Sequence, residues 1–444
     1  MRIKNELINK YKFLFLFEAN TKQSMFENTL AFAQQQDQKD SLNLYREKFL
    51  IPTNNKGEEM IYLCGNSLGL QPKKTSEYLD QELKDWAKLG VEGHTDAKHP
   101  WLPYHEFLTN SMAKIVGAKP SEVVIMNSLT ANLHFMMVSF YQPTKTKYKV
   151  IIESDAFPSD KYAVESQIKF HGFNPENGLI LWKPRDGEEL CRIEDLEKIL
   201  EKQGDEIALI MIGNTNYYSG QSFPLKKITQ LGHQYNCIVG FDLAHGVGNI
   251  QPNLHDTGAD FAVWCTYKYL NSGPGSLGGC FVHERHSQNS DLNRFTGWWG
   301  HNKQTRFNMR HEFDVLSGAE GWQLSNPSIL SMAAIRASLD VFEEAGFDRI
   351  IEKSKRLTGY LEFLIEELHD KRINIITPKN PAERGCQLSI QVKSANKTLH
   401  TQLTQADVIS DWREPDVIRV APAPLYNSFE DVFIFVERLK KVLN

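Results

Sequence analysis

From Glu122 onward, short apolar runs alternate with stretches whose apolar residues recur at helical spacing. Val123 to Met126 breaks at Asn127-Ser128, and Leu133, Met136, Met137 and Phe140 then mark a helical stripe. Lys149 to Glu153 repeats the scheme, with a turn through Phe157-Pro158-Ser159-Asp160 before the next helix. Ala208 to Gly213, Ile238 to Asp242, Phe261 to Thr266 and Gly278 to His283 continue the series of strand-like runs. Strands alternating with helices predict an α/β domain whose mainly parallel sheet is covered by helices. Right-handed crossovers then bring the polar residues that follow each strand to one carboxyl edge.

The flanks read differently. Residues 27–50 suit one or two surface helices, and Ile61 to Pro72 is an apolar run broken by turn residues that expose Asn66 and Ser67. Leu79, Leu83, Trp86 and Leu89 form one apolar stripe, ended by Gly90 and Gly93 just before His94. Beyond Asn326-Pro327 come two long helices, the second over Arg356 to His369, then four short strand-like runs and a helix from Phe429 to Leu443. That texture predicts a smaller α+β lobe over residues 326–444. The large domain is expected over 76–325, with residues 25–75 packing against the small lobe. Residues 1–24 have too short an apolar burst, followed by Glu18, for a secretory signal. They are expected to be an extension, or to precede a true start at Met25.

Composition narrows the function. A chain of 444 residues with 41% hydrophobic and 24% charged positions is an ordinary soluble enzyme in make-up. A formal net charge of -5 lacks the basic footprint of a nucleic-acid binder. No run reaches the roughly 18 apolar residues of a membrane span. The six cysteines, at 64, 191, 237, 265, 280 and 386, form no CxxC pair, so reduced thiols in the cytoplasm are expected and no metal centre is.

The candidate chemistry lies in the loops at the carboxyl edge. Leu129 and Thr130 open a helix, whose free N–H groups and dipole suit a phosphate, although Ser and Thr there also serve as plain caps. Asp242 ends a buried run; it is either a structural partner or an acid that holds a proton on a heteroaromatic nitrogen. Phe157 is either core or a stacking face. Lys268, between two tyrosines and before a Gly/Pro/Ser loop, is a poor nucleophile at its ordinary pKa of about 10.4. A Schiff base with an aldehyde cofactor removes that handicap. Lysine, acid, phosphate donors and aromatic face occur here loop by loop, in the order seen in pyridoxal-phosphate enzymes of the aminotransferase fold.

Several longer stretches carry a resemblance. GNSLGLQP, FPSDKYAVESQ, VGFDLAHGVGN, YKYLNSGPG, GWWGH, SNPSIL and RVAPAPLYNSFED closely resemble the kynureninase family, from about residue 40 to the C-terminus. The resemblance implies pyridoxal-phosphate fold type I with a seven-stranded sheet. It also implies a homodimer with shared active sites, and hydrolysis of L-kynurenine or its 3-hydroxy form to anthranilate, or 3-hydroxyanthranilate, plus L-alanine. Such a reaction belongs to tryptophan breakdown and to the synthesis of NAD. In that likeness Lys268 carries pyridoxal 5′-phosphate as a Schiff base, Tyr267 relays protons beside it, and Asp242 and His245 face the ring. Leu129, Thr130 and the Phe157-Pro158-Ser159-Asp160 segment line the cofactor, as do Trp298 and Asn326, which in this fold often serve the other subunit. Ser67, His94 and Asn326 match contacts to the substrate's aromatic end, and Arg419 matches the grip on its α-carboxylate. Gly213 stands where some relatives have Ser, so one possible phosphate hydroxyl is missing. A desulfurase or aminotransferase of the same fold would share Lys268 and Asp242. A desulfurase would also need a mobile, exposed thiol. A cofactor-binding regulator without catalysis is the other rival.

Overall fold

The computed structural model describes residues 26–287, 289 and 291–444, so the expected extension and the start at Met25 lie outside the described residues. The N-terminal segment holds the helix Leu30–Lys39 and strand β1, Ile61–Tyr62. Strands β2 (Val123–Met126), β3 (Lys149–Glu153), β4 (Leu179–Trp182), β5 (Ile207–Gly213), β6 (Ile238–Asp242), β7 (Phe261–Cys265) and β8 (Gly278–Val282) build the large sheet, in the order β2-β8-β7-β6-β5-β3-β4. Only β8 runs against its neighbours β2 and β7; the pairs among β3 to β7, and β3 with β4, are parallel. The seven-stranded, mainly parallel sheet is therefore present.

Alternation along the strands explains its two covered faces. Ile125, Ile151, Ile210, Phe241 and Trp264 point to one side, into a core with Met112, Leu196, Leu200 and Ile228 from covering helices. Val124, Ile152, Leu209, Val263 and Cys280 point to the other, against Leu133, Met136 and Val164. Buried on both faces, such strands must be continuous apolar runs, which is why they stand out in the sequence.

Strands β9 (Ile373–Ile375), β10 (Leu388–Val392), β11 (Val408–Ile409), β12 (Asp411–Arg413) and β13 (Val417–Val420) follow. Four of them form an antiparallel sheet, β12-β13-β10-β9, and the fifth, β11, pairs in parallel with β1. Ala33, Ile61 and Leu63 share the core of this lobe with the helices Phe347–Glu367 and Phe429–Leu443. The helix Ile329–Ala345 buries Met332, Ile335, Leu339 and Phe342 in a core of the large sheet instead. In the next helix Ile350 still belongs to that core, whereas Leu357 belongs to the core of the smaller lobe.

Candidate active site

Five strand ends converge on one cavity. Its walls are Leu129 and Thr130 after β2, Glu153, Phe157, Ser159 and Asp160 after β3, and Gly213, Thr215 and Tyr217 after β5. Asp242, Ala244 and His245 follow β6, and Tyr267 and Lys268 follow β7. The space between these walls and the open solvent at its mouth together is about 540 Å³.

Local sequence explains each placement. Asn127, at φ 49°, turns the chain out of β2, in a left-handed conformation that Asn tolerates. The helix Leu129–Phe140 then begins with an extended Ser128 whose hydroxyl makes no cap bond. Its first-turn N–H groups have no partner within the helix and so remain free for an anion. The hydroxyls of Thr130 and Ser159 lie 3.0 Å apart and tie this helix start to that of Pro158–Phe170, where Pro158 occupies the first turn. Pro158 itself does not line the cavity.

Charges in the cavity are unequal in fate. The Lys268 Nζ lies 3.0 Å from His245 Nε2. Burial, then the neighbouring Lys268, Arg419 and Arg413, hold the His245 imidazole well below its usual range, so it stays neutral. Burial raises Asp160 and Asp242. Asp160 rises furthest because Asp242 and Glu153 are close by, while its hydrogen bond, the Ala244 N–H at 2.6 Å and Lys268 favour ionised Asp242. The pair thus holds a proton on Asp160 and a negative charge on Asp242. Burial also raises the Tyr267 phenol, with Cys265 adding to it.

A pyridoxal phosphate fits this set. Lys268 offers an amine for the aldehyde, Asp242 a buried carboxylate for the ring nitrogen, and the helix start a phosphate seat. Two buried polar atoms of the lining, His245 Nδ1 and Thr215 Oγ1, have no hydrogen-bond partner among the described residues, as expected of groups that face a polar ligand.

The other expected site residues lie elsewhere. Arg419 is buried, donating to the Tyr217 carbonyl at 2.7 Å just behind the cavity wall. Ser67 and Asn326 are exposed, and Trp298, 43% exposed, packs on Trp299 and Phe307. His94 stacks edge-on with Trp101 at 5.5 Å. Trp101 lines a second hollow with Glu82, Trp86 and residues 328–330, close in sequence to Asn326.

A family model, the kynureninase C-terminal domain, matches residues 350–439. The kynureninase of Myxococcus xanthus is 54% identical over 94% of this chain and 98% of its own length. The mouse kynureninase is 45% identical over 92% of each chain. This chain belongs to the kynureninase family. Among solved structures, the chain resembles the Escherichia coli cysteine desulfurase CsdA (TM-score 0.73, 14% identity, 91% of this chain and 98% of that one). A C-DES mutant with glycine covalently linked to its PLP cofactor gives the same TM-score and identity over 86% of this chain and 96% of that one. These likenesses establish the pyridoxal-phosphate fold type I. Kynureninase relatives at this identity make the chain a pyridoxal-phosphate hydrolase of carbon–carbon bonds and set aside the desulfurase and regulator readings. Consistently, Cys265 and Cys280 are buried in strands.

Sequence reasoning missed Glu153, Thr215, Tyr217 and Ala244 as cavity residues. Glu153 carried a usable signal, since it ends a buried apolar run just as Asp242 does. Thr215 and Tyr217 carried none, being two polar or aromatic positions in a loop full of them.

Proposed function

We propose that this cavity is where the chain cleaves the Cβ–Cγ bond of L-kynurenine or 3-hydroxy-L-kynurenine by hydrolysis, releasing L-alanine and the anthranilate. The observation that carries this reading is the juxtaposition of Lys268, neutral His245 and buried Asp242 at two adjacent strand ends, β6 and β7, in one cavity. When bound, the cofactor supplies an electron sink for the bond pairs that the reaction releases. Lys268 anchors it and, once displaced, removes the proton from the substrate's α carbon. Asp242 keeps a proton on the ring nitrogen, and Asp160 supports that charge by hydrogen bond. Tyr267 relays protons, and Arg419 holds the α-carboxylate with its planar fork.

The scatter of the remaining site residues supports a homodimer with shared sites. Ser67, His94, Trp298 and Asn326 do not line the cavity of their own chain, and apolar surface is exposed beside several of them. Trp86 is 60% exposed, and Val91, Leu330, Phe307 and Met309 are exposed as well. A second copy laid on that surface buries it and brings its aromatic side chains to the first copy's cavity. No helix among the described residues is long and apolar enough to cross a membrane. That, with six free cysteines, supports a cytoplasmic enzyme. A domain boundary between Ile350 and Leu357 follows from the cores. The test is to mix purified protein, pyridoxal phosphate and either substrate and to follow anthranilate-type fluorescence. Product from at least one substrate, lost on Lys268→Ala, is expected. No product from either, or full activity in the variant, refutes the reading.

A further inference from the structure

Strand β12 places a second guanidinium beside Arg419. Asp411 and Arg419 are direct cross-strand partners in the β12–β13 pair, and Arg413, two residues along, shares the face of Asp411. Asp411 Oδ2 accepts from Arg419 Nη2 and, at 3.1 Å, from Arg413 Nη2. Both guanidinium carbons lie over the ring of Tyr217, at 5.7 Å for Arg413 and 5.8 Å for Arg419. Tyr217 is itself a wall of the cavity, edge-on to Phe157 at 5.3 Å.

The local charge does not balance. Two arginines share one aspartate, and the Nε atoms of both are buried without a hydrogen-bond partner. A buried, unpaired guanidinium N–H costs free energy unless an acceptor arrives. Tyr217, Asp411 and the two arginines together therefore present one surplus positive charge and two unused N–H donors behind the cavity wall. A carboxylate is the ligand that answers both.

We propose that Arg413 is the second cation of the subsite for the substrate's α-carboxylate, acting with Arg419 across their shared Asp411. The inference rests on Arg419 being the carboxylate grip. Asp411 holds the two forks at a fixed spacing, and Arg413 makes the site select an α-amino acid over the corresponding amine. Arg413 is a binding residue and takes no part in proton transfer.

The test uses the holoenzyme and two ligands: the amino-acid substrate and the amine that lacks only its α-carboxylate, used as a competitive inhibitor. Arg413→Gln is expected to raise KM about tenfold or more, the scale of one lost charge-assisted hydrogen bond, while kcat changes less than about threefold. The Ki of the amine should stay unchanged, and Arg413→Lys should recover part of the KM. An unchanged KM overturns the proposal. So does an equal weakening of substrate and amine, which would mark Arg413 as a support of the fold. Arg419→Lys run alongside separates the two levels: if it too leaves KM unchanged, the underlying reading of Arg419 has failed.

Discussion

Glu153 offers a quantitative test of the cavity's electrostatics. Its carboxylate is buried at the end of β3 and accepts the Gly213 N–H on both oxygens, at 3.2 and 3.1 Å. Burial is the main reason its pKa rises from 4.5 to about 7, and Asp242 and Asp155 add to it against the opposing Gly213 N–H. A carboxyl whose folded pKa is raised binds more protons in the folded state across that window. Stability from this group is full below about pH 4.5 and declines as pH rises through about 7. The rise corresponds to about 3 kcal/mol. Glu153→Gln keeps an oxygen for the Gly213 N–H and abolishes the titration. The amide adds a constant offset at every pH, so the informative quantity is the change with pH. Urea unfolding of the cofactor-free protein at pH 5 and pH 8 should show the variant gaining about 2–3 kcal/mol on the parent between those values. Parallel pH dependence of the two proteins would refute the assignment of a buried, titrating carboxyl to Glu153.

Other perturbations follow from contacts already described or from the core. A Cβ at Gly69 would sit 2.2 Å from the Lys268 carbonyl, so Gly69→Ala should lower both Tm and kcat, whereas Gly57→Ala, with open space around it, should cost only its backbone strain. Lys353 and Asp40 form a pair 2.6 Å apart and almost fully buried. Lys353→Met should cost about 3–5 kcal/mol in chemical denaturation, and adding Asp40→Leu should recover much of it. Tyr267→Phe should reduce kcat by about a hundredfold while the cofactor still attaches to Lys268, as mass spectrometry after borohydride reduction would show.

Periodicity made the large sheet legible because its strands are buried on both faces. The exception is β4, Leu179–Trp182, a four-residue edge strand with three half-buried positions that offers no continuous core signal. The helix Thr75–Leu89 was legible by its stripe, yet half of that stripe is exposed, Leu83 and Trp86, while Leu79 packs against the core. Its buried positions are Thr75 in the first turn and Glu82, which accepts from the Trp101 indole and the Tyr104 hydroxyl and lies near Arg336. Partners from distant elements decide such a burial, and spacing alone carries no trace of them. The VISDWRE run holds two strands, β11 and β12, because its residues serve two different sheets. For the site, strand-end polar residues were readable one by one. Their convergence depended on the order of strands across the sheet, and Ser67, Trp298 and Asn326 are exposed and do not line the cavity.

The segment around β1 ties synthesis to competence. Ile61 and Tyr62 pair with Val408 and Ile409, and Cys64 bridges to Ala421, so this early stretch has no sheet to join until nearly the whole chain exists. Yet the same stretch also lies on the anchor lysine's loop, where the Gly69 N–H donates to the Tyr267 carbonyl at 2.8 Å. During translation the large sheet can form first, before Gly69 is held against the loop of Lys268. That contact is fixed in place only when the last strands emerge from the ribosome and pair with β1. A chain cut short before Val408 is therefore expected to keep the lysine and the cavity walls but lose the strand pairing that holds Gly69 on the lysine's loop.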